Sequence, residues 1–205
     1  NSCSAAVTGG KSVLLNSGQF TWQLPLLSIS SVGGVGWSFG LNYLADSGVD
    51  DVLGLNFSFP QYMRLEEGIG YVDLALSDYT QERFTETSPN VYEPADDNNT
   101  QSTLVRTGSG TSNDEFTLTS AQGVVTKFFG FHVSITTPGR LKSIADRYGS
   151  VQAYEWTVTS GVVQLAKITD SYDRSIEYRY YGSEYGYRLQ EIEDFLERKL
   201  NFQYD

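Results

Sequence analysis

The sequence predicts an all-β protein in which tandem β-hairpins stack into a curved, spiralling antiparallel sheet. Tyr and Phe are abundant, at 14 and 11 residues, and 20 glycines accompany them, a composition that favours strands and turns. Apolar, acidic and aromatic residues recur every 24 residues from Gly139 onward. Within each copy, apolar and polar residues alternate as they do in a strand with one buried face.

Composition and charge limit the functional classes. The chain has 205 residues, of which 40% are hydrophobic and 19% charged, as in globular proteins. Its net charge of -11 repels phosphate groups, so we expect no nucleic-acid partner. We expect no transmembrane segment, because no apolar run approaches about 18 residues, and no signal peptide is visible. Cys3 cannot form an intrachain disulfide; we interpret it as a free thiol, although its position also fits lipid attachment.

Residues 1–84 are expected to form an entry segment of β-strands. Two apolar runs alternate with polar residues: Phe20, Trp22 and Leu24, then Trp37, Phe39 and Leu41. Strict alternation of this kind predicts half-buried strands. The glycines at 33, 34 and 36 are expected to form the turn between them.

Residues 85–113 are expected to form an acidic loop rich in Pro and Asn. The stretch SPNVYEPADDNNTQST has the composition of a loop or of an excursion from the sheet. The run Asp96–Asn99 offers oxygen ligands for calcium, but it lacks the spacing and the glycine of a known calcium loop. We therefore interpret it as a solvated loop, with calcium binding left open.

Residues 114–205 carry the repeats. Three copies begin at Gly139, Val163 and Tyr187, and five positions match in all three. These residues are expected to form a structural core: Leu141, Leu165 and Leu189; Ile144, Ile168 and Ile192; Asp146, Asp170 and Asp194; Tyr154, Tyr178 and Phe202; Trp156, Tyr180 and Tyr204. A fixed period of this length predicts stacked supersecondary units. An earlier stretch from Phe116 to Gly130 matches at an offset of 26 and is expected to be a degenerate hairpin that turns near Gly123.

Each repeat is expected to be a hairpin. Ile176, Tyr178 and Tyr180 share one face of a strand, and Glu177 and Arg179 share the other. The leucine and isoleucine that begin each copy are three residues apart, which strict alternation does not allow, so we expect a β-bulge between them. The aspartate after them precedes turn residues and is expected to accept hydrogen bonds from backbone amides further on.

The third copy has an alternative interpretation. Leu189, Ile192, Leu196 and Leu200 lie on one helical stripe with charged residues between them. A helix would break the 24-residue register, so we prefer two strands.

Catalytic chemistry finds little support. Gly36–Gly40 matches G-x-S-x-G around Ser38, and His132 follows it, but alternation continues through the serine, where a nucleophile elbow needs a turn and a helix. We place His132 in a strand as a structural residue. Gly34-Val35-Gly36 lacks the helix of a dinucleotide site. The carboxylates Glu191, Glu193 and Asp194 have no recognisable cleft. We expect no catalytic, cofactor-binding or metal-binding residues, and a serine hydrolase stays the least favoured hypothesis.

The repeats resemble a known family. The segment GRLKSIADRYG from Gly139, followed by an aromatic strand, resembles the YD repeat of the Rhs family, which includes bacterial polymorphic toxins, insecticidal toxin subunits and animal teneurins. The third copy ends with Tyr204-Asp205, the dipeptide that names the repeat. The resemblance covers 139–205, about a third of the chain, and the segment from Ser17 to Leu44 resembles the family's entry segment.

The resemblance implies a non-enzymatic, structural role. Sheets of this family form hollow shells that enclose a toxin domain or act in adhesion, so we expect a secreted or cell-surface shell segment. Expected partners are further repeats of the same protein, or another copy, bound through the C-terminal edge strand. The alternative is a carbohydrate-binding or adhesive module, whose glycan would stack on surface tyrosines. These are Tyr172, Tyr181, Tyr185 and Tyr187.

Overall fold

The computed structural model describes residues 10–13, 20–29, 36–76, 80–96 and 102–204. These residues form β-strands and two short 3₁₀ turns, Pro60–Tyr62 and Ser183–Tyr185. The strands belong to antiparallel sheets, so the predicted all-β class is confirmed. Cys3 and two of the predicted turn glycines, Gly33 and Gly34, lie outside the described residues.

The small sheet comes first in the chain. Its strands, in spatial order, are β1 (Gly10–Val13), β2 (Phe20–Ile29), β3 (Trp37–Leu44) and β6 (Phe57–Ser58). A ribbon of β4 (Asp50–Asp51) and β5 (Gly54–Leu55) connects β3 to β6. The two strands expected from alternation in the entry segment are therefore present and pair with each other.

The large sheet contains thirteen strands that neighbour one another in chain order. They are β7 (Arg64–Glu67), β8 (Tyr71–Ala75), β9 (Gln81–Ser88), β10 (Val91–Pro94), β11 (Thr103–Thr107), β12 (Glu115–Thr119), β13 (Val125–Phe129), β14 (Leu141–Ala145), β15 (Val151–Thr159), β16 (Val162–Asp170), β17 (Ser175–Tyr180), β18 (Leu189–Glu193) and β19 (Lys199–Asn201). Each strand pairs with the one before it, so the sheet is one continuous meander.

The large sheet curls back on itself. The backbone N–H of Leu65 in β7 donates to the carbonyl of Gly139 at 2.9 Å, and an isolated bridge joins Arg64 to Arg140. Gly139 has a φ of +70°, and a Cβ placed there would lie 2.2 Å from the carbonyl oxygen of Leu65. Only glycine allows this approach. The first strand of the large sheet, β7, therefore contacts the chain just before β14. This contact closes the arc formed by β7 to β13.

The main core lies between the two sheets. Phe59 stacks on Tyr178 with ring centroids 6.2 Å apart, and Phe39 lies 5.8 Å from Phe202. The indole Nε1–H of Trp37 donates to the hydroxyl of Tyr178 at 3.1 Å. Full burial of such a side chain contributes roughly 1.5–3 kcal/mol. The repeats and the entry segment thus stabilise each other.

The repeat residues face this core in the expected register. Leu165, Ile168 and Tyr178 are buried, and Tyr180 is half-buried against the core. The alternate residues of the same strand are exposed: Glu177 and Arg179.

A β-bulge recurs at one position of every copy. Each copy's first strand has one residue without a partner in the preceding strand. These residues are Lys142, Ala166 and Gln190, which are 24 residues apart. The extra residue turns the leucine before it and the isoleucine two places after it to the same side. The spacing of three that the sequence shows between Leu141 and Ile144 has this cause.

The third copy forms strands, as does the degenerate copy before the repeats. Its two halves are β18 and β19, which pair antiparallel, so the helical alternative is wrong. The degenerate copy is the hairpin of β12 and β13, and its turn contains Gly123 with a φ of +77°.

The expectation of a loop across 85–113 is wrong. The end of β9 and all of β10 and β11 lie in this stretch, and they continue the large sheet across both boundaries drawn at 85 and 114. The stretch looks like a loop because its strands bury few side chains, chiefly Tyr92 and Leu104 at 6% and 0% exposure. Of the run Asp96–Asn99, only Asp96 belongs to the described residues.

Truncation of a repeat core residue should destabilise the whole fold. Ile168 is 2% exposed, so Ile168→Ala leaves a cavity and should lower the free energy of unfolding by about 2–5 kcal/mol. The control Val158→Ala removes methyl groups from a side chain that is 44% exposed and should change stability by about 0.5 kcal/mol or less. Urea unfolding measures both variants; similar losses would contradict the register.

Candidate functional site: the repeat turns and the sheet edge

An aspartate closes the turn of each repeat hairpin. In the second copy, Oδ1 of Asp170 accepts hydrogen bonds from the backbone amides of Tyr172 and Arg174 at 2.8 and 3.0 Å. Asp146 and Asp194 bind the amides two and four residues on in the same way, at 2.8 to 3.0 Å. The residue three places after each aspartate has positive φ: Gly149, Asp173 and Glu197. The three aspartates therefore share one structural role.

An arginine completes two of these turns. Nε and Nη2 of Arg174 bind Oδ2 of Asp170 at 2.7 and 2.6 Å, and Arg198 binds Asp194 with the same distances. The first copy has Ser150 at this position, and Oδ2 of Asp146 is buried there without a hydrogen-bond partner. The turns thus share one backbone geometry but differ in their side-chain partners.

These bonds govern the ionisation of the turn carboxyls. Burial alone would raise the pKa of Asp194, but hydrogen bonds from the Arg198 side chain and from the backbone amides of Arg198 and Leu196 outweigh it. The pKa of Asp194 is therefore lowered. The same balance, with Arg174 as the cation, lowers the pKa of Asp170.

A second repeated bond ties the two ends of each copy together. The last aromatic core residue of each copy donates to the carbonyl of its first leucine. The three bonds are Trp156 Nε1–H to Leu141 (2.6 Å), Tyr180 Oη–H to Leu165 (2.8 Å) and Tyr204 Oη–H to Leu189 (2.9 Å). The acceptor leucine stands directly before the bulge residue, so this aromatic–carbonyl bond spans the irregular part of the hairpin.

The fifteen repeat core residues are all buried or half-buried. Eight are buried: Leu141, Tyr154, Leu165, Ile168, Tyr178, Leu189, Ile192 and Asp194. Seven are half-buried: Ile144, Asp146, Trp156, Asp170, Tyr180, Phe202 and Tyr204. The structure thus brings them together as packing and turn residues.

The core tyrosines stay neutral. Burial raises the pKa of Tyr178 and Tyr154 well above the ordinary value, and it raises the pKa of Tyr204 to about 12. Neutral phenols at physiological pH act as hydrogen-bond donors, which is the role that Tyr180 and Tyr204 have in the repeats.

Ser38 and His132 occupy unrelated settings. Ser38 is an exposed residue of β3 opposite Ser28, and the strand continues past it to Leu44. His132 does not lie in a strand, contrary to expectation; it follows β13 in a loop, where Nδ1 is 2.7 Å from the hydroxyl oxygen of Ser134. The physical reason is Asp114. Its carboxylate accepts hydrogen bonds from the backbone amides of residues 131 and 132, so these amides do not pair with a neighbouring strand.

Asp114 is a buried anchor that sequence reasoning missed. Its side chain is fully buried, and Arg106 binds both oxygens at 2.9 and 2.7 Å. Arg106 also reaches Glu67 at 3.0 Å. A Cβ on Gly130 would lie 2.1 Å from this carboxyl group. Arg106 links Glu67 in β7 to Asp114 at the start of β12. This arrangement occurs once in the chain, so no repeat spacing marks its residues.

A polar cavity of about 330 Å³ lies beside the inter-sheet core. Its lining includes Asp51, Tyr62 and Arg64. Burial raises the pKa of Asp51 and lowers that of Arg140, whose guanidinium lies 5.1 Å from the Tyr62 ring and 5.3 Å from the Trp156 ring. Nη1 of Arg140 is buried without a hydrogen-bond partner. No local sequence pattern marks this cluster, since its members are far apart in the chain.

The strand β19 is the last strand of the large sheet. The backbone N–H of Phe202 points back to Gln190 at 2.9 Å. Because successive backbone amides point to opposite sides of a strand, the amide of Asn201 is directed towards the free edge. Lys199 binds Glu191 and Glu193 at 3.2 and 3.3 Å, which places charge along this edge.

The proposed surface tyrosines divide into two pairs. Tyr172 and Tyr185 are 56% and 47% exposed. Tyr181 and Tyr187 are half-buried, and their hydroxyls donate to the carbonyl of Phe202 and the hydroxyl of Ser160 at 2.8 and 2.9 Å. The first pair is therefore the more exposed. Tyr172 lies in a repeat turn, and the turns of the other two copies expose Tyr148 and Leu196.

Comparisons with known proteins assign no family. No protein-family model matches the sequence, and no match was found among curated proteins. In the part of the chain that the structure describes, no helix has the length and apolar character to cross a membrane. Within the same residues, no three His, Cys, Asp or Glu side chains are grouped as metal ligands.

Removal of a turn aspartate should cost more where an arginine is present. Asp194→Ala leaves two backbone amides and Arg198 without their acceptor, so it should lower the free energy of unfolding by about 1–3 kcal/mol. Asp146→Ala should cost less, because its Oδ2 has no partner to lose. Urea unfolding of both variants, with Gln203→Ala as an exposed control, measures the difference; equal losses would contradict the role of the arginine.

Stability should decrease at acidic pH through the same carboxyls. The pKa values of Asp170 and Asp194 are lower in the folded than in the unfolded protein, so their contribution is present above the unfolded value of about 3.9. It is lost as the pH falls from there through the lower folded values. The double variant Asp170→Asn/Asp194→Asn should flatten the dependence of unfolding free energy on pH below about 4. An unchanged slope would assign acid sensitivity to other carboxyls.

Proposed function

We propose that this chain is a non-enzymatic structural segment of a secreted or cell-surface β-sheet shell of the Rhs/YD-repeat type, with a role in encapsulation or assembly. The observation that carries the proposal is the threefold recurrence of one hairpin geometry. Each copy combines an aspartate-closed turn, a bulge after the first leucine and an aromatic–carbonyl bond, always 24 residues apart.

A structural role accounts for the residues that could have carried chemistry. The turn aspartates bind their own backbone and, in two copies, the arginine four residues further on. The phenols of Tyr154, Tyr178 and Tyr180 are neutral and lie in or against the buried core. Such groups stabilise a wall and leave no free nucleophile among the repeat core residues.

A wall of this kind grows by strand addition. Each hairpin contributes two strands, and neighbouring strands lie about 4.8 Å apart, so one copy extends the sheet by about 10 Å. The free edge at β19 supports further repeats of the same protein as partners, because an unpaired strand edge is a template for backbone pairing.

A carbohydrate-binding module is the second candidate. The exposed apolar side chains at the tips of consecutive turns favour it: Tyr148, Tyr172 and Leu196 are 70%, 56% and 60% exposed. Aromatic rings presented in a row can stack on sugar rings. A glycan array separates this candidate from a purely structural wall.

Chains of this length should associate through β19. Pairing at the free edge should make sedimentation depend on concentration, because the backbone amides there have no partner from this sheet. Asn201→Pro removes an outward amide of β19 and should reduce association, whereas the matched control Asn201→Ala should retain it. A strict monomer whose amide at Asn201 exchanges as slowly as those at Tyr178–Tyr180 would show that the edge is covered from within.

A further inference from the structure

Four loops lie together at one end of the arc formed by β7 to β13. They are residues 68–70, 89–90, 108–113 and 131–138, which lie in the connections from β7 to β8, β9 to β10, β11 to β12 and β13 to β14. Because each strand is antiparallel to its neighbour, every second connection of the meander falls at the same end of the sheet. The bond between Leu65 and Gly139 closes the arc, so the four loops surround its end. We call these four loops the rim.

The rim contains no acidic or basic side chain. Its residues are chiefly Gly, Ser, Thr and Pro, and none is Asp, Glu, Lys or Arg, although the chain has a net charge of -11. Two glutamates border it: Glu67 is paired with Arg106, and Glu86 accepts the backbone amide of Asn90 at 3.0 Å. The repeat turns at the opposite end of the sheet each contain an aspartate and an arginine. The two ends of the sheet therefore differ in charge.

Two aliphatic side chains project from the rim. Ile69, between two glycines at the tip of the β7–β8 hairpin, is 100% exposed, and Val133 in the connection after β13 is 93% exposed. Their loops are neighbours across the closure of the arc, since Leu65 of β7 binds Gly139 at the end of the second loop. Exposed apolar side chains without charged neighbours are typical of the centre of a protein interface.

The ion pair of Arg106 and Asp114 holds both of these loops in place. Arg106 binds Glu67, directly before the β7–β8 tip, at 3.0 Å. The carboxylate of Asp114 accepts the backbone amides of residues 131 and 132, which begin the loop of Val133, at 2.9 and 3.2 Å. Loops that are already ordered lose little conformational entropy on binding, which favours association.

We propose that the rim binds a second copy of this chain, with Ile69 of each copy packed against Val133 of the other around a twofold axis. Such a contact is isologous, because both copies use the same surface. The inference goes beyond the proposed function, which extends the sheet at β19, and it uses no residue of that strand.

Charge and size identify the occupant. Two copies with a net charge of -11 repel each other, so they associate most readily where the approaching surfaces are uncharged. Each rim supplies both an aliphatic tip and an uncharged surface that receives the tip of the other copy. The rim is about as large as one side of a small standard interface, roughly 20 residues. We therefore expect a weak, reversible pair.

Sedimentation of tip variants tests the proposal. All chains carry Asn201→Pro, so that pairing at β19 does not contribute. Ile69→Asp and Val133→Arg each place an unpaired charge at the contact and should weaken association by about ten-fold or more. An equimolar mixture of the two variants should restore association, because the new carboxylate and guanidinium meet across one contact while the other contact is unchanged. Leu196→Asp, at a 60% exposed position of a repeat turn at the opposite end, is the matched control and should have no effect.

Equal association of Ile69→Asp and the Leu196→Asp control, or a mixture that associates no better than its components, would overturn the inference. A strict monomer in the Asn201→Pro background would also overturn it, and association of the chain that keeps Asn201 would then leave the proposed function intact. Cosedimentation of that monomer with phosphatidylcholine vesicles, abolished by Ile69→Asp, would assign the rim to a neutral lipid surface instead. Should Asn201→Pro unfold, the same mixture in chains with Asn201 decides, because pairing at β19 does not distinguish the tip variants from the control.

Discussion

One extra residue in each hairpin sets the direction of the side chains in the repeat region. Without the bulge at Ala166, Leu165 and Ile168 would point to opposite faces, since side chains alternate along a strand. With it, both are buried, at 0% and 2% exposure. A slip of one residue would move the whole apolar set to the outer face. The aromatic–carbonyl bond resists such a slip because it fixes the leucine before the bulge to the far end of the same copy.

The repeats carry two aromatic rows with different roles. The row of Tyr154, Tyr178 and Phe202 supplies packing, as the stacking of Phe59 on Tyr178 shows. The row of Trp156, Tyr180 and Tyr204 supplies hydrogen bonds to the leucine carbonyls. The first row can therefore include a phenylalanine, Phe202, because it makes no bond to a leucine carbonyl. Every member of the second row has a hydrogen-bond donor in its side chain.

Repetition decided which features the sequence could predict. The bulge, the turn aspartates and the buried face each occur in several copies, so their spacing is visible without a structure. Asp114 and Arg140 act only once, through partners distant in the chain such as Arg106 and Tyr62, and no local pattern marks them. The strands β10 and β11 were missed for another reason: each buries a single large apolar side chain, Tyr92 and Leu104, which is too few for alternation to stand out from a loop.

The two edges of the large sheet are built differently, and this gives the sheet a direction of growth. At β7, the bond between Leu65 and Gly139 and the bridge from Arg64 to Arg140 occupy the edge with the protein's own backbone. The close approach at Gly139 leaves no space for another strand. At β19 the described chain supplies no such cover. Under the proposed function, strand addition would therefore be blocked at the first edge and open at the last, so a wall built from this unit would extend only in the direction in which the repeats follow one another.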